Sequence, residues 1–372
     1  MNYRKVWLIL LIVFTSVGAS GQAVSPEKQA FDAAIDKLTQ EGATEQECQQ
    51  AVATIQRLAA KGFGEALNEV GTYYAQGNKP GITQNYAKAL QYFTRAWNAK
   101  ETQAAKNIAI LYYNGYGVPK DSVKAYEWTL KGANVGHLEC MRDMGTYCLE
   151  PQLGMRVDSI SALGWFRKAA EKGDGPSMWQ LGRFYYNKGN PEEARFWIKK
   201  GAEIDNMQCL HGLGLLYKHG ECGMEKNPSA AADYFRKCAD MYGHLESEIE
   251  YADWLLKDAN RGKDAIEYYT RAACKGSIYA MANLGDIYAG CYDVPADEAK
   301  AYEWYTGTWE SEIKSPPEYK AYLYACAKAA LALYLGRGVK MDRAEGRRLL
   351  FDLADRRDSP DAKRYIQELN LR

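Results

Sequence analysis

Ala125–Ala133 reads AYEWTLKGA, and the chain writes this stretch eight times. Ala162–Ala170 is ALGWFRKAA, Ala194–Ala202 is ARFWIKKGA, Ala231–Ala239 is AADYFRKCA, and Ala265–Ala273 is AIEYYTRAA. Ala89–Trp97 (ALQYFTRAW) follows the same grammar, while Ala301–Trp309 (AYEWYTGTW) and Gly346–Ala354 (GRRLLFDLA) are looser copies. The copies start 32 to 45 residues apart. A period of that size marks a chain of stacked supersecondary units, none of which can bury its apolar face alone. Within each copy the terminal alanines and the aromatic between them make a helical packing face, which leaves the basic residue, Lys131 in the first quoted copy, on the solvated side.

A second helical pattern precedes each copy. Its register centres on Gly71, Ala109, Gly145, Gly182, Gly214, Ala252, Gly285 and, less well, Leu331. Three residues later come Tyr74, Tyr112, Cys148, Tyr185, Tyr217, Leu255, Tyr288 and Tyr334; apolar residues fill the positions one before and two after the centre. These offsets build one broad apolar face at helical spacing. Each unit is thus a first helix (A), a loop and a second helix (B). Glycine inside a helix is less favourable than alanine by about 1 kcal/mol, so its recurrence predicts close packing of A on B. Gly182→Leu is expected to pry its pair apart.

The connections agree. Gly115–Asp121 (GYGVPKD) and Gly336–Asp342 (GRGVKMD) place glycines where helix A must end and an aspartate where helix B must be capped. Asp158, Asn227 and Asp297 hold comparable places. Ser25-Pro26-Glu27 opens a helix over 27–40, followed by a second over 44–60, so 25–62 reads as a degenerate helix pair capping the stack. Pro316-Pro317, inside the longest step, reads as a helix-excluding insertion. Ser359-Pro360-Asp361 starts a short helix within 358–372 that covers the other end.

Lysines and arginines (47) balance aspartates and glutamates (47), which argues against nucleic acid or a polybasic membrane surface as the main partner. Arg4 and Lys5 precede an apolar run from Val6 to Phe14 and a small-residue stretch to Gly21, the layout of a secretory signal peptide over 1–21. The mature chain is expected to be exported, periplasmic or secreted, with no transmembrane segment. Of nine cysteines, Cys140, Cys148, Cys209, Cys238, Cys274 and Cys326 fall inside helical repeats and read as small buried hydrophobes; Cys222 and Cys291 lie in loops and are better candidates for an occasional bridge or a free thiol. Four histidines occur without H-E-x-x-H, and there is no Cys-x-x-Cys, nucleophile elbow or phosphate loop. No metal site, cofactor or catalytic constellation is signalled, and an enzyme is not expected.

Leu181-Gly182…Tyr185, Leu213-Gly214…Tyr217 and Leu284-Gly285…Tyr288 in the A helices, the Gly115–Asp121 loop, and ALGWFRKAAEKG at Ala162–Gly173 together resemble the Sel1-like repeat, a relative of the tetratricopeptide repeat. The resemblance covers eight repeats over 63–354. It implies an all-α fold, a right-handed α/α superhelical solenoid of stacked antiparallel helix pairs, serving as a scaffold that holds other proteins. It also implies, in some secreted members, a cysteine ending helix B bridged to one opening the next helix A. Here Cys238 and Cys274 end B helices without a cysteine opening the next, and Cys140 and Cys209 open A helices without one before, so that pattern is broken. If A helices line the concave side, as the resemblance implies, positions three before and one after the central residue face the groove. Lys106, Arg142, Trp179, Arg183 and His211 are the candidate partner-binding residues, with Glu250, Asp253 and Asp286 giving an acidic stretch beyond. The expected partner is a protein or peptide. Direct binding of a cell-wall glycan or peptide, or a host-directed secreted role, are the alternatives.

Overall fold

The chain was analysed as a computed structural model that describes residues 24–149, 158–258, 260–313 and 315–371. Residues 1–21, read from the sequence as a signal peptide, lie outside the described residues. The chain divides into two compact units, one ending at Ala162 and the other beginning at Leu163.

The first unit contains α1 (Pro26–Thr39), α2 (Glu45–Ala60), α3 (Gly64–Gln76), α4 (Tyr86–Asn98), α5 (Gln103–Asn114), α6 (Ser122–Asn134) and α7 (Leu138–Leu149), and α8 (Ser159–Glu171) carries the chain into the second. There follow α9 (Gly175–Asn187), α10 (Pro191–Glu203), α11 (Met207–His219), α12 (Pro228–Tyr242), α13 (Leu245–Lys257), α14 (Gly262–Cys274), α15 (Ile278–Asp286), α16 (Glu298–Gly307), α17 (Pro316–Leu335), α18 (Arg343–Asp355) and α19 (Pro360–Glu368). No strand occurs among the described residues. In each unit successive helices pack on one another, and A helices of neighbouring repeats also touch, as in α5 on α7 and α9 on α11. The fold is an all-α solenoid of antiparallel helix pairs.

The caps work as their residue types require. Asp121, Asn227, Asp297 and Asp342 each accept a hydrogen bond from the backbone N–H three residues on, satisfying a first-turn donor of α6, α12, α16 and α18. Gly115, Gly220 and Gly336 end A helices in the left-handed conformation. α14 lacks a side-chain cap of its own; the carboxylate of Asp293, from the next loop, accepts from Gly262 N at 2.8 Å instead.

The central glycines are explained by what lies over them. A Cβ on Gly71 would stand 2.6 Å from the Phe93 ring, and one on Gly214 would stand 2.5 Å from Phe235; at Gly182 and Gly285 it would overlap Ile198 and the Tyr305 ring. The facing residue sits four positions after the first alanine of the B stretch. That position, one past the aromatic of the repeat signature, carries a buried ring in most copies: Phe93, Phe166, Phe235, Tyr269 and Tyr305 are all buried. The signature aromatic itself is half-buried in most copies. Lys131 lies on the exposed side as expected, with its Nζ 4.1 Å from the Trp128 ring centroid, and Lys168 repeats this over Trp165 at 4.4 Å.

Two expectations are corrected. Pro316 and Pro317 begin α17 rather than exclude it, with Ser315 as the cap; first-turn N–H groups have no intrahelical acceptor, so proline loses nothing there. Cys274 is exposed at the end of α14, whereas Cys140, Cys209, Cys238 and Cys326 are buried, and none of the nine cysteines forms a disulfide. At the two ends, α1 and α2 add Phe31, Ile55 and Leu58 to the core around α3 and α4, and α19 adds Ala362 and Tyr365 to that around α17 and α18.

Candidate interaction face

The A-helix positions expected to face a partner differ from repeat to repeat, and their neighbours decide what each can do. In the first unit Lys106 on α5 forms an ion pair with Asp143 on α7, the next A helix. Asn107 Nδ2 donates to Asn68 Oδ1 at 2.8 Å, tying α5 back to α3. Arg142 is half-buried on α7. Ile110 and Tyr113 stand out on the same face of α5, 41% and 39% exposed. Between α5 and α7 lies a cavity of about 230 Å³, walled by Ile110, Tyr113, Thr146 and Tyr147, floored by Ala109 and Thr129, and bordered by the Lys106–Asp143 pair.

In the second unit the candidates divide. Trp179 lays its ring against the next A helix, so closely that a Cβ on Gly212 would be 2.5 Å from it; it is a packing residue of the repeat joint. His211 is half-buried, with Nδ1 3.0 Å from Ser247 Oγ and its ring 4.8 Å from that of His244. Burial, then the neighbouring His244, lowers its pKa to about 4, so the imidazole is neutral at physiological pH. Arg183 is exposed and donates only locally, to Gln180 Oε1 at 3.0 Å. Of these three, Arg183 alone offers its charge to solvent.

The acidic residues further on are engaged. Glu250 accepts from Lys218 at 2.6 Å. Asp253 accepts from Tyr279 at 2.9 Å, from Tyr269 and from Lys257 at 2.8 Å. Asp286 accepts from Tyr305 at 2.7 Å and Tyr324 at 2.8 Å, with Lys328 at 3.6 Å. Two successive repeats thus hold a carboxylate between tyrosines, a joint rather than an open acidic surface. Glu248, wholly buried, is likewise held by Arg271 at 2.9 Å and Lys275 at 2.6 Å from the following B helix, since a buried carboxylate needs such partners. Sequence reasoning missed these pairs. Only some of the ion pairs carry a signal, separation by about one repeat period, as in Lys106 with Asp143, Lys218 with Glu250 and Lys28 with Glu65.

Among the described residues no cluster of three or more metal-ligating side chains occurs, and no helix is long and apolar enough to cross a membrane.

The Sel1 repeat model matches residues 64–98, 102–137, 138–174, 175–206, 208–242, 250–277, 278–306 and 323–351. The chain belongs to the Sel1 repeat family. Each match falls on one helix pair, although α13 and α17 begin before theirs and α18 ends after its own, and α1, α2 and α19 fall outside them. Among curated proteins it is similar to chitin synthase regulatory factor 3 of Schizosaccharomyces pombe, 26% identical over 259 residues, covering 65% of this chain and 27% of that protein. The chain therefore spans about a quarter of that relative's length. Among solved structures it resembles a protective antigen of uropathogenic Escherichia coli with an SLR fold, at TM-score 0.60 and 23% identity, covering 88% of this chain and 76% of that one. A Sel1 repeat protein from Oxalobacter formigenes matches at TM-score 0.53 and 18% identity, over 95% and 98% of the two chains. Both structural likenesses concern the Sel1 fold.

Proposed function

We propose that this Sel1 repeat protein is a non-catalytic, exported scaffold that binds a protein partner along the face of its A helices, the side the family resemblance makes concave. One observation carries the reading. At the register one past the centre, the first four repeats carry Thr72, Ile110, Thr146 and Arg183, the last three of them exposed, while the inward positions recur. Stacking needs the recurring set, whereas an exposed, varied set is free to contact something outside the stack; Asp253 and Asp286 at the same register are instead taken up by neighbouring tyrosines. The relative named as a regulatory factor of chitin synthase is named for acting on another protein, which supports a protein rather than a glycan as partner. Export rests on the charged, apolar and small-residue order of residues 4–21.

The test is affinity capture from fractions of the native cells with three forms of the full chain. Ile110→Glu with Arg183→Glu alters the A face; Phe196→Glu with Lys199→Glu alters exposed positions on the B helix α10. Loss of the captured partner with the first pair and retention with the second is the expected result, from an envelope or medium fraction. The reverse pattern contradicts the A-face reading, and recovery of the protein only from cytosol contradicts export.

A further inference from the structure

His211 on α11 and His244 at the start of α13 close on one hydroxyl. Their rings lie 4.8 Å apart, and both Nδ1 atoms meet Ser247 Oγ, at 3.0 and 2.9 Å. Ser247 is wholly buried, so its hydroxyl must be satisfied by these neighbours. That oxygen carries a single hydrogen, and the contacts decide where it points. The Ser247 N–H, 3.3 Å away, donates to His244 Nδ1, which caps α13, so His244 Nδ1 carries no hydrogen of its own. The Ser247 hydroxyl therefore also donates to His244 Nδ1, and His211 Nδ1–H donates to the hydroxyl. His244 Nε2 bears the remaining hydrogen, 3.2 Å from Glu246 Oε2. The Cys238 thiol, from α12, is turned to Met207 O at 3.5 Å and leaves this chain of bonds intact.

We propose that the His211–Ser247–His244 chain is an acid-labile latch between the A helices α11 and α13, closed while both imidazoles are neutral and opened by proton uptake. It stands whatever the A helices bind. Two nitrogens in the chain are free to take a proton, His244 Nδ1 and His211 Nε2, and the closed joint resists both. A proton on His244 Nδ1 would face the N–H and O–H of Ser247 with a third donor and remove the cap of α13. A proton on His211 Nε2 would put a cation in a half-buried site beside the second imidazole, with Lys218 of the same helix also opposing it. Glu246 favours the charge but is exposed. The buried carboxylate of Glu248 is held by Arg271 at 2.9 Å and Lys275 at 2.6 Å, and Lys275 also reaches Gly243 O at 2.7 Å, so α14 supplies no counter-ion. Once the joint opens, water reaches the rings, and a solvated imidazole takes its proton near pH ~6.5. The open joint then binds protons that the closed one does not. Its stability is complete above about pH 6.5 and falls as the pH drops toward about 4, the value to which burial and then His244 lower His211.

The test compares the full chain with its double variant His211→Asn, His244→Asn. The side-chain amide of the first substitution can donate to Ser247 Oγ, and the amide oxygen of the second can accept from Ser247 N–H and Oγ–H. The chain of bonds is kept and its titrating groups are removed. Amide hydrogen exchange is followed across α13 at about pH 7 and about pH 5, corrected for the intrinsic pH dependence of exchange. The wild type is expected to lose protection in α13 by about tenfold at the lower pH, and the double variant to lose markedly less. An equal loss in the two forms, or no loss in the wild type, overturns the latch. Should the double variant melt early, the histidine tautomers of the wild type decide, read near neutral pH from side-chain ¹H–¹⁵N correlations. Hydrogen on Nδ1 of His211 and on Nε2 of His244 is expected, and any other arrangement overturns the latch.

Discussion

A glycine's worth in this chain depends on what stands above it. At Gly285 an added methyl group would meet the Tyr305 ring, itself held by the Asp286 carboxylate at 2.7 Å, so neither partner can retreat. At Gly164, also helical, an added methyl would meet nothing within 4 Å. Gly285→Ala is therefore expected to destabilise by about 1–3 kcal/mol through overpacking, whereas Gly164→Ala should stabilise by up to about 1 kcal/mol through helix propensity. Urea unfolding midpoints of the two variants check the pair; shifts of the same sign would contradict it. Gly182→Leu belongs with Gly285, because Ile198 already occupies the space. These glycines were legible in the sequence through their recurrence. Trp179 was not, because only the structure sets its ring on Gly212 of the following A helix.

Between elements, the joint from one B helix to the next A helix repeats a contact that explains the cysteines. Cys140 Sγ sits in the space left by Gly132, Cys209 Sγ in that left by Gly201, and Ser247 faces Cys238 across the equivalent place. Each of these three joints holds one thiol opposite a small or hydroxylated residue, so a bridge there is missing by a single side chain. In Gly201→Cys the new Cβ would lie 3.0 Å from that of Cys209, slightly inside the usual span of a disulfide. The reduced variant is expected to be crowded and less stable than wild type, and the oxidised one more stable than its reduced form by about 2 kcal/mol. Thermal melting with and without reductant, with thiol counting, reads this out. Two unreacted thiols under oxidising conditions would contradict it. Helix starts were legible at this scale because a cap is local: Asp121, Asn227, Asp297 and Asp342 act on backbone N–H groups three residues away. The borrowed cap of α14 and the helical prolines of α17 were not. The first depends on Asp293 from the next loop, and the second on whether a proline falls at a first turn or inside a helix.

For the molecule as a whole, the period of the B stretch made the helical stack legible, and membership of the Sel1 repeat family follows over eight matched segments. The candidate face was legible only as a register. Charge on that register is largely consumed by partners on neighbouring helices, Lys106 by Asp143 and Asp286 by Tyr305 and Tyr324, and no local pattern announces those contacts. What remains outward is Arg183, with Ile110 and Tyr113 beside the α5–α7 cavity. In the proposed reading the side chains that recur build the stack, and the exposed residues that vary along the A helices, Ile110 and Arg183 among them, meet the partner. Amide hydrogen exchange of the full chain, alone and with its captured partner, tests that division most directly. Slowed exchange in α5, α7, α9 and α11, with the B helices α6, α10 and α12 unchanged, is the expected result; protection confined to the B helices would contradict it.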